Sequence, residues 1–297
     1  MTIRCLHLAN GTSTTRTIHD AGIPGRSSIW ADPLHEGPVP GEMRDEELLA
    51  VRAHHLADEE HGVEAVASEL RRWRDVVDDY DAYDEIVLWF EHDLFDQLNL
   101  IQVLSRLSAG GAWPRPVSLI SIGSFPGRPR FKGLGELTAR ELAPLFGTRQ
   151  PVTDGQYGLA RDAWSAFRSA DPTSIEALLD KDTSALPYLG TALARHLEEF
   201  PSVEEGLSRT ERRLLEIAAP ARIAVRGAFP LMHEEETAFY IADDSFLHVV
   251  RELAREPSPL LTIRTEREEV PSALSGWMEL SQFGRLVLAG RADALQE

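Results

Sequence analysis

The chain has 297 residues, 43% hydrophobic and 26% charged, with a formal charge of −18 at pH 7, an ordinary globular composition with length enough for two cored domains. Its one cysteine, Cys5, excludes an intrachain disulfide framework, and no apolar run approaches the roughly 20 residues of a membrane-spanning helix. Residues 1–206 hold 19 basic and 33 acidic groups and residues 207–297 hold 11 and 15, so neither part carries the positive charge that draws proteins to nucleic acid. With no basic, apolar leader at the start, a cytoplasmic protein without a membrane partner is expected.

Residues 3–9 read as a short buried strand closed by the turn pair Asn10-Gly11. Thr12 and Ser13 are suited to cap a helix over 14–21, which Gly22 and Pro24 stop. A second strand over 27–31 leads into 32–38, a rigid loop with two prolines and a glycine. Helical spacing follows near 43–58 and 62–77. Ile86 to Phe90 is an apolar run of the kind found in strands buried on both faces, and Glu91-His92-Asp93 ends it. Leu94, Leu98, Ile101 and Leu104 share one face of a helix over 94–107, which Gly110-Gly111 closes, and 117–122 is another strand. This alternation predicts an α/β fold with a mainly parallel, Rossmann-like sheet over 1–150. A glycine- and proline-rich loop fills 123–135, and 137–200 is helical, so that 151–206 forms a helical segment packed on the sheet domain. Beyond the break at 201–207, Ser208-x-x-Glu211 is a capping box. Helix signals to 218 and over 244–255, a strand near 260–263, a turn-rich stretch and a last helix near 280–289 fit a winged-helix-like α+β module over 207–297.

Ligands of open parallel sheets bind at the carboxyl ends of the strands. Four loops of this chain fall on that edge, at 10–13, 32–38, 91–97 and 123–135, and they concentrate its reactive side chains. Glu91, His92 and Asp93, with His35 from the second loop, are the candidate catalytic residues, because carboxylates beside an imidazole can divide acid and base roles. The structural alternative is that Asp93 caps the following helix and Asp96 complements its dipole. His35, Glu91 and His92 are also candidate ligands for a divalent metal, although their spacing matches no established metal motif. Asn10, Ser13, Asp96 and Gln97 are candidate substrate-binding groups. Arg128, Arg130 and Lys132, locally basic in an acidic chain, are candidates to clamp an anion; the alternative is salt bridges to Glu91, Asp93 or Asp96.

Three stretches carry a resemblance. Trp-x-Asp-x-Leu-His-Glu-Gly-Pro-Val at 30–39, Leu-Trp-Phe-Glu-His-Asp-Leu-Phe-Asp-Gln-Leu at 88–98 and Gly-Leu-Gly-Glu-Leu at 133–137 resemble an uncharacterised bacterial family, the domain of unknown function numbered 1835. The likeness continues through 151–156, 198–202 and 207–211. It brings no activity with it, but it implies that 30–38 and 88–98 are signature segments.

Two readings stand at this point. In one, the chain is a hydrolase-type enzyme, with a divalent metal or general base catalysis, acting on a small anionic or phosphorylated substrate. In the other, it is a ligand-binding regulatory protein whose C-terminal module contacts a protein, or DNA, which the acidic charge disfavours.

Overall fold

The computed structural model describes residues 3–58, 60–108, 116–265 and 276–295, a mixed α/β chain of two compact units, 1–194 and 195–297. In the first unit β1 (Cys5–Ala9), β2 (Arg26–Ile29), β3 (Glu85–Glu91), β4 (Val117–Ile122) and β5 (Gln150–Pro151) form one sheet in the order β2-β1-β3-β4-β5. The first four strands are parallel and the two-residue β5 is antiparallel, so the expected mainly parallel sheet is present. The helices are α1 (Thr12–Asp20), α2 (Asp45–Leu56), α3 (Val63–Asp78), α4 (Leu94–Ser108), α5 (Ala139–Leu142), α6 (Asp154–Phe167), α7 (Thr173–Leu179) and α8 (Leu189–Leu197), which runs across the division between units.

β3 explains why the sheet is covered on both sides. Every side chain from Ile86 to Phe90 is fully buried. Val87 and Trp89 pack with Ala9, Ile18, Ile120 and Leu134 in one core, and strand alternation sends Ile86, Leu88 and Phe90 to the opposite face. Register fixes the functional edge. Ala9 pairs with Ile29 on one side and Trp89 on the other, and Glu91 pairs with Ile122, so β1 to β4 end together. The loops at 10–13, 30–38, 91–97 and 123–135 all leave that edge.

One local expectation is corrected. α1 starts at Thr12 with Gly11 at the N-cap and no side-chain cap, because the Ser13 hydroxyl is donated to the Gly135 carbonyl (3.1 Å). The Gly110-Gly111 stop lies outside the described residues.

In the second unit α9 (Arg209–Ala218) is opened by the expected capping box: the Glu211 N–H donates to Ser208 Oγ (3.1 Å) and the Ser208 N–H to the Glu211 carboxylate (2.8 Å). There follow β6 (Ile223–Ala224), α10 (Val225–Met232), α11 (Asp243–Leu253), β7 (Leu261–Thr265), β8 (Gly276–Leu280) and α12 (Gln282–Leu288). The three strands form an antiparallel sheet in the order β6-β8-β7. α10 and β8 escape the sequence reading for different reasons. Gly227 and Pro230 disguise the helix. β8 alternates inward Gly276, Met278 and Leu280 with Trp277 and Glu279, in a segment that reads as turn-rich. Among the described residues no helix is long and apolar enough to cross a membrane.

Candidate functional site

The four loops meet. Asn99 of α4 holds the backbone of Asp32, accepting its N–H (3.1 Å) and donating to its carbonyl (2.9 Å). Further along that loop the His35 ring stands edge-on to Phe95 of α4, centroids 6.0 Å apart. The Asn10 side-chain amide donates to Asp96. From the 123–135 loop, the Leu134 N–H donates to Glu91 Oε1 and the Phe131 ring stacks on His92 (6.4 Å). Segments far apart in sequence therefore enclose the end of β3.

Three carboxyl groups sit at the centre of this enclosure. Asp93 is the helix cap, since its Oδ1 accepts the Asp96 N–H (3.1 Å). Asp96, fully buried, does more than complement the helix dipole: it turns back to accept the Glu91 N–H (2.7 Å) together with the Asn10 amide. Glu91, 2% exposed, hydrogen-bonds through its carboxyl to that of Asp96. Gln97 donates its amide to the Glu91 carbonyl (2.5 Å). Glu91 Oε2 and Gln97 Oε1 are buried with no donor among the described residues.

Electrostatics follow from this packing. Burial raises all three acids, because a charged carboxylate loses its water. Glu91 is pushed up to about 7, with Asp93 adding repulsion and the Leu134 N–H opposing it. Asp93 is held well above the usual carboxylate range by burial and then by Asp96, and Asp96 by burial and then by Glu91.

The basic residues divide. Arg128 is bonded to Glu141 (2.9 Å), which caps α5, and pulls that half-buried carboxyl down to about 2. Its salt bridge is therefore real but goes to α5 and not to the edge carboxylates. Lys132 is half-buried, and its backbone N–H donates to Glu136 (3.2 Å). Arg130 is exposed and makes no ion pair among the described residues. Ser13 is committed to Gly135, which ties α1 to the same loop.

The expected metal set is not assembled. Among the described residues no group of three or more His, Cys, Asp and Glu side chains is arranged to hold a metal ion. The side chains explain why. His35 turns its Nε2 to Glu36 (3.2 Å), the His92 ring lies between Phe131 and Tyr188, and Glu91 is bonded to Leu134 and Asp96.

Several participants are invisible in the sequence. Arg52 of α2, fully buried, bonds Asp32 through two nitrogens (2.7 and 3.0 Å) and the Pro33 carbonyl (3.0 Å), which sets the loop that carries His35. Gly133 lets the loop approach, since a Cβ there would lie 2.9 Å from Glu91 Oε1. The Tyr188 ring meets the His92 edge (6.1 Å) from a segment with no motif. Only the Gly-Leu-Gly run at 133–135 offered a signal, as part of the glycine-rich loop.

The sequence matches no model of a known family and no curated protein.

Proposed function

We propose that the β3 edge is the catalytic centre of a hydrolase-type enzyme for a small anionic substrate, working by carboxyl acid–base chemistry. The observation that carries this reading is the buried pair of Glu91 and Asp96, two carboxyls in hydrogen-bond contact. Such a pair retains a proton near neutral pH, so it holds an acid and a base at one place. In the reaction the unprotonated carboxylate takes a proton from water as its oxygen bonds to the substrate, while the protonated one donates its proton to the leaving group as that bond breaks. Arg130 is the exposed cation of the adjoining loop and is the group assigned to the substrate's anion. Because Glu91 is 2% exposed, the substrate has to displace the Gly133–Leu134 segment that covers it, in the manner of a closing loop.

The parallel order β2-β1-β3-β4 with four loops at its carboxyl edge supports a Rossmann-like assignment. The test is turnover of a panel of small phosphate and carboxylate esters between about pH 5 and 9. Glu91→Gln, folded by circular dichroism, is expected to lose turnover on whichever substrate is found. Equal rates for both proteins on every substrate would remove Glu91 from the chemistry.

A second reading has its own support. The order α9-β6-α10-α11-β7-β8, with β6 beside β8, supports our reading of the second unit as a winged-helix-like module, in which α11 takes the recognition position. α11 opens with Asp243 and Asp244, so a protein partner suits it better than DNA. A salt-dependent shift of random duplex DNA would reverse that preference.

A further inference from the structure

Away from the Glu91 edge, the first unit carries a recess of about 580 Å³, bounded by β2, α1 and α3. β2 is an end strand of the sheet, with a neighbour on one side only. The five consecutive residues Gly25 to Ile29 all line the recess. A strand presents alternate residues when it shows a face, so an unbroken run means that the open edge itself borders the recess. Each wall is a single helix stripe. α1 contributes Thr12, Thr15, Arg16 and His19, and α3 contributes Glu69, Arg72, Trp73 and Val76, both at i, i+3, i+4, i+7 spacing.

Charge says what fits between them. The lining holds Arg16, His19, Arg26 and Arg72 against one acid, Glu69, in a chain with 48 acidic and 30 basic groups. Arg72 approaches Glu69 (3.8 Å) and Arg26 donates to the Tyr83 hydroxyl (3.1 Å), while Arg16 has no ion pair among the described residues. An open edge offers unpaired backbone groups to an added strand, and its five bordering residues span about 16 Å at ~3.3 Å per residue. A second copy of the chain is the wrong occupant, since pairing β2 with β2 across a twofold axis would bring the same arginines together.

We infer that the outer edge of β2 docks an extended acidic peptide segment by strand addition, with its carboxylates taken by the arginines of α1, β2 and α3. Backbone pairing supplies the register and the basic walls supply the selection.

The test is fluorescence anisotropy on the whole protein with a labelled octapeptide of alternating glutamate and valine. Controls are its lysine counterpart and a version N-methylated at alternate amides. Saturable binding of the glutamate peptide is expected, with loss on N-methylation, no binding of the lysine peptide, and weakening of roughly tenfold or more in Arg16→Glu/Arg72→Glu. Both substitutions lie on exposed positions, and circular dichroism checks the fold of the double variant. Absence of saturable binding overturns the inference, as does binding that survives N-methylation, which would be ion capture without strand addition. A β2-mediated dimer in sedimentation, abolished by Ser28→Pro, overturns it in favour of a second copy.

Discussion

Glu91 and Asp96, five residues apart in sequence, are two buried carboxyls in side-chain hydrogen-bond contact, a contact that exists only while one of them holds a proton. The backbone adds a second link, since the Glu91 N–H donates to Asp96 (2.7 Å). Ionising both would leave two adjacent negative charges buried away from solvent.

The first consequence is a pH dependence of stability with a definite sign. Glu91 is raised from the ordinary 4.5 to about 7 by burial, so the folded protein binds its proton more tightly than the unfolded chain. That contribution is complete below the unfolded value and is lost as pH rises through about 7, a fall on the order of 3 kcal/mol from this residue. Asp93 and Asp96 are raised in the same direction. Urea denaturation across pH should therefore show Glu91→Gln gaining on the wild type between about pH 5 and 8, because the amide needs no proton to bond Asp96. Parallel curves for the two proteins would contradict the raised Glu91.

Asp96 should matter for the fold as well as the site. Asp96→Ala strips the acceptor from the buried Glu91 N–H and from the Asn10 amide, at a cost of about 2–4 kcal/mol. Asp96→Asn retains an oxygen for the Glu91 N–H and should cost less. Chemical denaturation midpoints decide it, and equal losses in the two variants would show that the acceptor is not what stabilises.

Gly133 separates contact from strain. Its φ of 172° is extended backbone open to any residue, so alanine meets no conformational penalty. The new Cβ would nonetheless stand 2.9 Å from Glu91 Oε1, which has to leave the Leu134 N–H to make room. Loss of that donor removes a stabiliser of the charged form, and the Glu91 titration should move upward. Carbon-13 NMR of the labelled glutamate carboxyl reads this directly, with no substrate required. A Gly133→Ala protein that titrates like the wild type would mean the loop does not press on Glu91.

How much of this was legible depends on sequence separation. β3 could be read because Ile86 to Phe90 are apolar without a gap, and Asp93 could be read as a cap because it lies directly before Leu94. The second unit's capping box was legible for the same reason, being set within four residues. What escaped depends on the returning chain. Nothing near Glu91 announces that Leu134 will donate to it, and nothing near His92 announces Tyr188. The basic loop misled in detail: its charges suggested the edge carboxylates as partners, whereas the Arg128 partner belongs to a helix cap thirteen residues on. The metal set failed similarly, because spacing says which residues share an edge and not which way their rings turn.

The Arg52–Asp32 pair tests whether the His35 loop is held from beneath. Both side chains are buried, 0% and 4% exposed, and Arg52 also bonds the Pro33 and Glu36 carbonyls on either side of His35. Arg52→Met leaves Asp32 as an uncompensated buried charge, with an expected loss of about 3–5 kcal/mol. Combining it with Asp32→Leu removes that charge and should recover part of the loss. The backbone of residue 32 stays anchored by Asn99 in either case, so the remaining deficit measures the carbonyls that Arg52 held. Hydrogen exchange locates the effect: amides of 34–36 should lose protection in both variants while those of β3 keep theirs. If the double variant is no more stable than Arg52→Met, the buried charge is not the dominant cost and the loop is held chiefly through its carbonyls.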